Sequence, residues 1–561
     1  MKKFSTLFLI VFCAFCITTV NAQLNTGGIP KSFVLDDLSE FFQEVIIPSP
    51  DIVKLIEEDL KSDKLSLPRR FAQLLPVGLN LRNAGTSELL DDGSRIWRLK
   101  LRSEGALAIS LYFDDFYLPK GATLYLYDDS KQQIKGAFTE INNHKSRLFA
   151  TELIFGDAVT LELYLPEFVT GKPALQVSHL AYAYRDVPRY DSSKGFGSSD
   201  FCEININCSP EGDGWQDEKK GVVRIQVKVS GATFWCSGSL VNNARYDLTP
   251  YILTADHCAF QYGHYASPDD LNQWIFYFNY ESETCENPPE EPEIYSLTGA
   301  SKIANGGNHG TDGSDFYLVL LNDNVPDSYD PYYNGWSAID SSSSFGVTIH
   351  HPEGDIKKIS TYTTPLVTYD FSGTGLPSHW EVYWTETFNN WGVTEPGSSG
   401  SPLFDSNGKI LGTLTAGWAS CDSPDLPDYY GKFSYHWQSN GTADTTRLKP
   451  WLDPDNTGIT SLNGTTLSVT ELKIKPKDDI VKIYPNPADN FVYINFINFE
   501  PSKIHPEFLG LIDILGKPVK NLYFNKLSEN NKINISDIQS GIYFIKIEYN
   551  QKIIIKKIIK R

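Results

Sequence analysis

The sequence predicts an all-β protein, on three observations. Apolar and polar residues alternate with a period of two over many short runs; Gly, Pro and Asn turns interrupt those runs; and every cysteine beyond residue 22 falls between Cys202 and Cys421. Period-2 alternation puts successive side chains on opposite faces of a strand, and closely spaced turn residues reverse the chain before a helix can extend. With 561 residues, and roughly 150 per domain, the chain needs more than one core.

The elements follow in chain order. Lys2 and Lys3 precede the apolar run Leu7 to Val20 and a small-residue site at Ala22, the pattern of a secretory signal over residues 1–22. That run is short for a membrane span, and no later stretch approaches the roughly 20 apolar residues such a helix needs, so stable membrane insertion is not expected. Bulky Phe15 before Cys16 argues against lipidation there. Residues 23–194 carry no cysteine and alternate, with Ile96, Arg98 and Lys100 set against Trp97, Leu99 and Leu101 and a turn at Pro119-Lys120-Gly121, which predicts a β-rich domain. A short helix is expected before it, around Asp51 to Leu60. Arg189 to Asp200 is rich in Ser, Gly and charge and reads as an exposed linker that contains Lys194-Gly195. Residues 195–466 hold many short strands, residues 467–479 form a second linker, and residues 480–561 alternate again, as at Val492 to Ile494 and Ile542 to Ile547.

Composition removes several classes of partner. With 49 basic and 69 acidic residues the formal charge is -20, which disfavours nucleic acid, because phosphate binding relies on clustered Lys and Arg. Six cysteines in an exported chain predict three disulfides. None of the six forms a CxxC pair, so neither a metal nor another cofactor is expected.

Three short motifs carry chemistry. Ser399 lies in Gly397-Ser398-Ser399-Gly400-Ser401-Pro402, a small-residue turn suited to expose a hydroxyl and to aim the N–H groups of Gly397 and Ser399 at one point. Two such donors form an oxyanion hole, each worth about 3 to 4 kcal/mol to a tetrahedral intermediate. A serine needs a base, and His257 follows an apolar strand in Leu253-Thr254-Ala255-Asp256-His257-Cys258. Asp315, in Gly313-Ser314-Asp315-Phe316-Tyr317-Leu318, is placed to hold an imidazole in its working tautomer. Each motif alone also reads as an ordinary loop, structural histidine or strand cap. Together, in the order His, Asp, Ser within one cysteine-bearing region, they point to acyl transfer.

The stretches Cys236-Ser237-Gly238-Ser239-Leu240-Val241-Asn242-Asn243, Ala255-Asp256-His257-Cys258, Ile349-His350-His351-Pro352 and Gly392 to Pro402 resemble bacterial lysyl endopeptidases, from Gly195 to about Leu462. The resemblance implies a chymotrypsin-like double β-barrel, a triad of His257, Asp315 and Ser399, protein or peptide substrates, a monomer, and disulfides Cys202–Cys421, Cys208–Cys285 and Cys236–Cys258. It also implies that His350 and His351 are not the base. The acid that trypsin-like enzymes carry six residues before the nucleophile is absent, since that position is Val393. In the family the acid follows the nucleophile, in a stretch resembling Asp428-Tyr429-Tyr430-Gly431-Lys432, so Asp428 is the expected pocket floor, with Asp422 and Asp425 as competitors. One departure is Thr415-Ala416-Gly417-Trp418, where family members often carry His-Gly-Gly, which leaves rate and subsite preference open.

Family members are made with a propeptide, so residues 23–194 are expected to assist folding and restrain activity until cleavage between Lys194 and Gly195. The terminal segment, with Ile483-Tyr484-Pro485-Asn486-Pro487-Ala488, Asp513-Ile514-Leu515-Gly516-Lys517 and Ile538-Gln539-Ser540-Gly541-Ile542-Tyr543, resembles sorting domains of type IX secretion cargo. That implies a small β-sandwich, a secretion machine as partner, and delivery through the periplasm to the surface or medium. A broader Lys/Arg protease and an inactive protease-like binding protein are the competing readings.

Overall fold

The computed structural model describes residues 25–35, 37–62, 68–191, 195–307, 313–466, 481–496, 508–512, 518–521, 530–549 and 552–561. The expected signal segment, Lys194, the linker 467–479 and the motif at 513–517 lie outside the described residues. The chain forms two compact units, Met1–Leu467 and Ser468–Arg561, both built mainly of strands.

In the first unit the helix expected near residue 51 runs over Ile52–Ser62. Its Asp59 is buried and accepts from Arg70 Nε at 3.0 Å, which ties the helix to the strand Arg70–Asn80. The alternation at residues 95–102 produces the strand Arg95–Arg102, which pairs with Thr86–Leu89 and Glu44–Ile46 on one side and Ala158–Leu165 on the other. Its polar-leaning face is covered too. Ile96 and Arg98 are buried, the Arg98 guanidinium lying 4.6 Å from the centre of the Phe42 ring and pairing with Glu88.

A second sheet joins the segment before Gly195 to the cysteine-bearing region. Its order is Tyr295–Thr298, Ile275–Phe278, Val222–Val229, Ala232–Val241, Arg70–Asn80, Ala174–Ala183, Ala108–Tyr117 and Phe149–Ala150. Strand Arg70–Asn80 pairs antiparallel with Ala232–Val241, Gln73 opposite Ala232 and Ala72 opposite Thr233. Phe71 stacks on Trp235 with ring centres 4.2 Å apart. One apolar cluster includes Phe113 and Phe149 from before residue 195 and Ile225, Val227 and Trp274 from after it. The linker read from the sequence therefore separates two stretches of chain that share one sheet and one core.

From the same sheet, Tyr251–Thr254 pairs with Ala232–Val241 and with Tyr317–Leu321. A further sheet is built wholly from residues 335–462. It runs Lys358–Tyr362, Gly346–His350, Pro402–Asp405, Lys409–Gly417, Asp428–Lys432, His379–Val382 and Val367–Tyr369. Its core contains Trp336, Val347, Ile349, Phe404, Phe433 and Trp437.

The second unit holds two antiparallel sheets: Val481–Tyr484, Phe491–Phe496 and Asn530–Asn534 in one, Pro518–Asn521, Phe508–Ile512, Gly541–Tyr549 and Lys552–Lys560 in the other. Val492, Ile494, Leu511, Ile533, Ile545 and Ile558 are buried. Asn486, in the first terminal motif, receives the Ile559 N–H at 2.9 Å and donates to Lys557 O at 2.8 Å, fastening that motif to the last strand.

Candidate active site

Strand register brings the histidine and the aspartate together. Leu253 lies opposite Leu318 and Thr254 opposite Tyr317, so the turn that follows Thr254 meets the residues that precede Tyr317. His257 occupies a short 3-10 turn, Asp256–Ala259, and Asp315 is fully buried beside it. His257 Nδ1 lies 2.7 Å from Asp315 Oδ2, and the His257 N–H donates to Asp315 Oδ1 at 3.0 Å. Asp315 holds φ at +58°, a left-handed conformation costing about 1 to 3 kcal/mol in a non-glycine residue and concentrated at functional positions. Burial pulls the imidazole pKa down. The charge and hydrogen bond of Asp315 more than reverse this and leave it above the ordinary 6.5. Nδ1 is engaged by the carboxylate, while Nε2 is buried without a hydrogen-bond partner.

Ser399 is docked against this turn. Its carbonyl accepts the Ser237 N–H at 2.8 Å and lies 3.7 Å from Cys258 Sγ, next to the histidine. A side chain at Gly400 would collide with Thr254 Oγ1, so glycine there allows the close approach of the two turns. Gly397 adopts φ +100°, and a Cβ on it would lie 2.9 Å from both Glu353 N and His351 O. Ser237, within a motif noted in the sequence but without an assigned role, braces the turn by donating from Oγ to Gly397 O at 3.0 Å. Among the described hydrogen bonds neither the Gly397 nor the Ser399 N–H is a donor.

Asp428 is fully buried at the start of its strand, opposite Gly417 and Val382. Trp384 Nε1 and Thr394 Oγ1 each donate to Oδ2 at 2.7 Å, and the Ala419 N–H donates to Oδ1 at 3.1 Å. Burial raises its pKa to about 6 against the opposing pull of these donors. Asp422 and Asp425 are exposed. Trp384 and Thr394 lie far from Asp428 in sequence; Thr394 falls within the stretch Gly392 to Pro402, but nothing in the sequence marks either as a partner of Asp428. Thr415 Oγ1 meets His379 Nε2 at 3.0 Å, and Trp418 is 63 % exposed. His350 and His351 are fully buried; burial and nearby Lys358 lower the first to about 3, and burial with Lys357 depresses the second far below its usual range.

The three disulfides join Cys202 to Cys421, Cys208 to Cys285 and Cys236 to Cys258. The last holds the histidine turn to the strand Ala232–Val241. Asp200, Glu395 and Cys421 bring metal-ligand atoms within 4.8 Å of one another, but the Cys421 sulfur is already bonded to Cys202.

Two strand-built halves that meet at a buried histidine–aspartate pair, beside a glycine-flanked serine, define a chymotrypsin-like serine endopeptidase. Residues 196–431 match the family described as lysyl endopeptidase, C-terminal domain. Residues 482–561 match the secretion system C-terminal sorting domain, and the protein is exported to the medium or the cell surface. A lysyl endopeptidase of Pseudomonas aeruginosa is 28% identical over 386 residues, covering 64% of this chain and 79% of its own. Among solved structures, the thermostable serine protease AL20 from an extremophilic microorganism aligns at 13% identity and TM-score 0.28, over 41% of this chain and 97% of its own. A Glu endopeptidase aligns at 15% and 0.26, over 44% and 93%. No helix among the described residues is long and apolar enough to cross a membrane.

Proposed function

We propose that the chain is a secreted endopeptidase that cuts after lysine through an acyl-enzyme. The observation that carries the reading is the buried His257–Asp315 pair with its unpaired Nε2, adjoining the turn that presents Ser399. His257 Nε2 takes the Ser399 proton as Oγ bonds to the scissile carbonyl carbon, whose π electrons move to oxygen. The Gly397 and Ser399 N–H groups donate to that oxyanion. Collapse breaks the C–N bond and expels the amine, which takes the proton back from His257. Water then repeats the cycle to release the acid. Asp315 fixes the tautomer and stabilises the imidazolium. The absence of a Ser399–His257 hydrogen bond in the free protein accords with catalytic contacts that tighten on substrate binding.

Asp428 supports lysine over arginine. Trp384 and Thr394 on Oδ2, the Ala419 N–H on Oδ1 and the neighbouring Trp418 N–H already meet its carboxylate, which leaves little acceptor capacity for a substrate cation. A compact ammonium needs a single acceptor, whereas the planar arginine fork is best met by two oxygens. Mass spectrometry of a denatured protein mixture digested by the enzyme, beside a Ser399→Ala control, reads the residue before each cut. Cuts after lysine alone are expected. Cuts after lysine and arginine alike would widen the pocket, and no cuts would overturn the enzyme reading.

The protein is made as a zymogen that cuts itself after Lys194. Residues just beyond that bond are already seated: Phe196 is buried with its N–H on Pro288 O at 2.8 Å, and Ser199 Oγ donates to Asp355 Oδ2 at 2.5 Å. Maturation of a Ser399→Ala chain at this bond, with no other protease present, would remove self-processing.

A further inference from the structure

Beneath the segment from Val393 to Ser398 runs a line of buried polar side chains with no part in the chemistry above. Fully buried His350 ends the strand Gly346–His350, with Nδ1 2.7 Å from Ser398 Oγ and Nε2 3.0 Å from Ser360 Oγ. Ser360 Oγ donates its proton to Val393 O at 2.8 Å, so towards His350 it acts as an acceptor. His350 must therefore carry its proton on Nε2. With burial and the Lys358 ammonium keeping the ring neutral, Nδ1 is then an acceptor. Ser398 Oγ receives the Glu395 N–H at 3.2 Å and passes its own proton to Nδ1.

The directions are thus set along the whole line, from Glu395 N–H to Ser398 Oγ–H to His350, and from His350 to Ser360 Oγ–H to the Val393 carbonyl. It begins and ends on the same short segment, whose next residue is Ser399. Two backbone bonds set the curvature of that segment, Ser398 N–H to Glu395 O at 2.9 Å and Glu353 N–H to Pro396 O at 2.6 Å. Neither holds the Ser398 side chain, so among the described residues His350 alone joins that side chain to the neighbouring strand Lys358–Tyr362.

We propose that His350 is a positioning residue: by tying the Ser398 hydroxyl to Ser360 and the Val393 carbonyl, it sets the course of the backbone from Pro396 to Ser399, and with it the orientation of the Gly397 and Ser399 N–H donors. The inference rests on the acyl-transfer reading of Ser399. His350 touches no substrate, and its effect appears where charge develops on the substrate oxygen.

The test uses the full chain with His350→Gln, His350→Asn, Ser398→Ala and the double variant His350→Gln/Ser398→Ala. Three quantities are read: kcat and KM on a lysyl peptide amide, affinity for a lysyl peptide aldehyde whose adduct bears an oxyanion, and affinity for butylammonium, which fills only the side-chain pocket. Removing an oxyanion donor costs about 10²- to 10³-fold, so misdirecting donors that remain present is expected to lower kcat by about 10- to 100-fold in His350→Gln and Ser398→Ala. KM and butylammonium affinity should stay within about twofold, aldehyde affinity should fall with kcat, and the double variant should be no worse than the poorer single one. His350→Asn, whose amide reaches the Nδ1 position, should recover part of kcat. Unchanged kcat in folded His350→Gln or Ser398→Ala, or a kcat loss matched by KM and butylammonium, would overturn the proposal. Should the His350 variants not fold, Ser398→Ala, which removes a single oxygen, carries the same expectation. A wild-type chain already cleaved after Lys194 whose Ser399 does not react with a fluorophosphonate would overturn the acyl-transfer reading itself.

Discussion

The half of the first unit that carries His257 and Asp315 differs from the half that carries Ser399 and Asp428 in where its strands come from. The histidine half continues without a break into the strand Arg70–Asn80 and the sheet beyond it, and shares its core with residues that precede Gly195. The serine half is completed by strands from residues 335–462 alone. The two are also braced differently. A hydrogen bond to a buried carboxylate and a left-handed aspartate position the base, whereas neutral hydrogen bonds and tightly packed glycines position the nucleophile. Precision on one side therefore depends on charge and on the amino-terminal segment, and on the other on local packing. Cutting after Lys194 leaves the Arg70–Asn80 pairing in place, so separating the amino-terminal segment requires opening a sheet as well as breaking a bond.

The largest expected effect tests the serine half alone. Ser399→Ala should lower kcat by about 10⁶-fold with the melting temperature unchanged, because the side chain supports chemistry and not the sheet. A variant that retained more than a trace of activity would move the nucleophile elsewhere. On the histidine side, Asp315→Asn should cost about 10⁴-fold in kcat by leaving the wrong tautomer. It should also change the pH profile. Only neutral imidazole is a base, and Asp315 holds its pKa above 6.5, so wild-type activity falls as pH drops through that raised value, and the variant's acid limb should lie lower. The pair's contribution to stability has the opposite sense: complete below 6.5, it is lost as pH rises through the folded pKa.

Asp428→Asn should reduce kcat/KM on lysyl substrates by about 10²- to 10⁴-fold, matching the roughly 3 to 5 kcal/mol at stake when one partner of a buried ion pair is lost. Burial raises this carboxyl to about 6, above its unfolded value near 3.9, so the folded state holds the proton more tightly. Its contribution to stability is complete below about 3.9 and is lost as pH rises through about 6. Thermal unfolding between these pH values should therefore be flatter in Asp428→Asn than in the wild type. The smallest effect on activity and the sharpest on the comparison belongs to Phe71→Ala. Losing its stack on Trp235 should cost about 3 to 5 kcal/mol of stability and lower the unfolding midpoint of the full chain. An unchanged midpoint would show that the histidine half does not lean on the amino-terminal segment.

The candidate site was legible because its markers are local. His257 sits where a strand gives way to a tight turn, Asp315 and Ser399 sit where a turn leads into a strand, and the glycines around Ser399 announce a crowded backbone. Asp428 was legible only through its family-like stretch, and the role of Trp384 and Thr394 as its donors not at all, since that is set by how three separate segments stack. The burial of Arg98 was hidden for a similar reason, because alternation gives a strand its two faces but not what later covers them. Likewise Ser, Gly and charge read as an exposed connection at residues 189–200 but say nothing of Arg189–Asp191 pairing with Gly195–Gly197, or of the stretches on either side pairing in one sheet.

By itself, then, the sequence determined the strand-rich class, the three candidate side chains of the site, the export segment at its end and the absence of a trypsin-type acid at Val393, because period, turn chemistry and residue type act over a few neighbours. The tertiary structure alone decided that the amino-terminal segment enters the sheet that carries His257, that Trp384 and Thr394 meet at the Asp428 carboxylate, and that His350 bridges Ser398 to Ser360. Those depend on register and burial between residues far apart in the chain, where hydrogen-bond direction and the loss of water are set by packing.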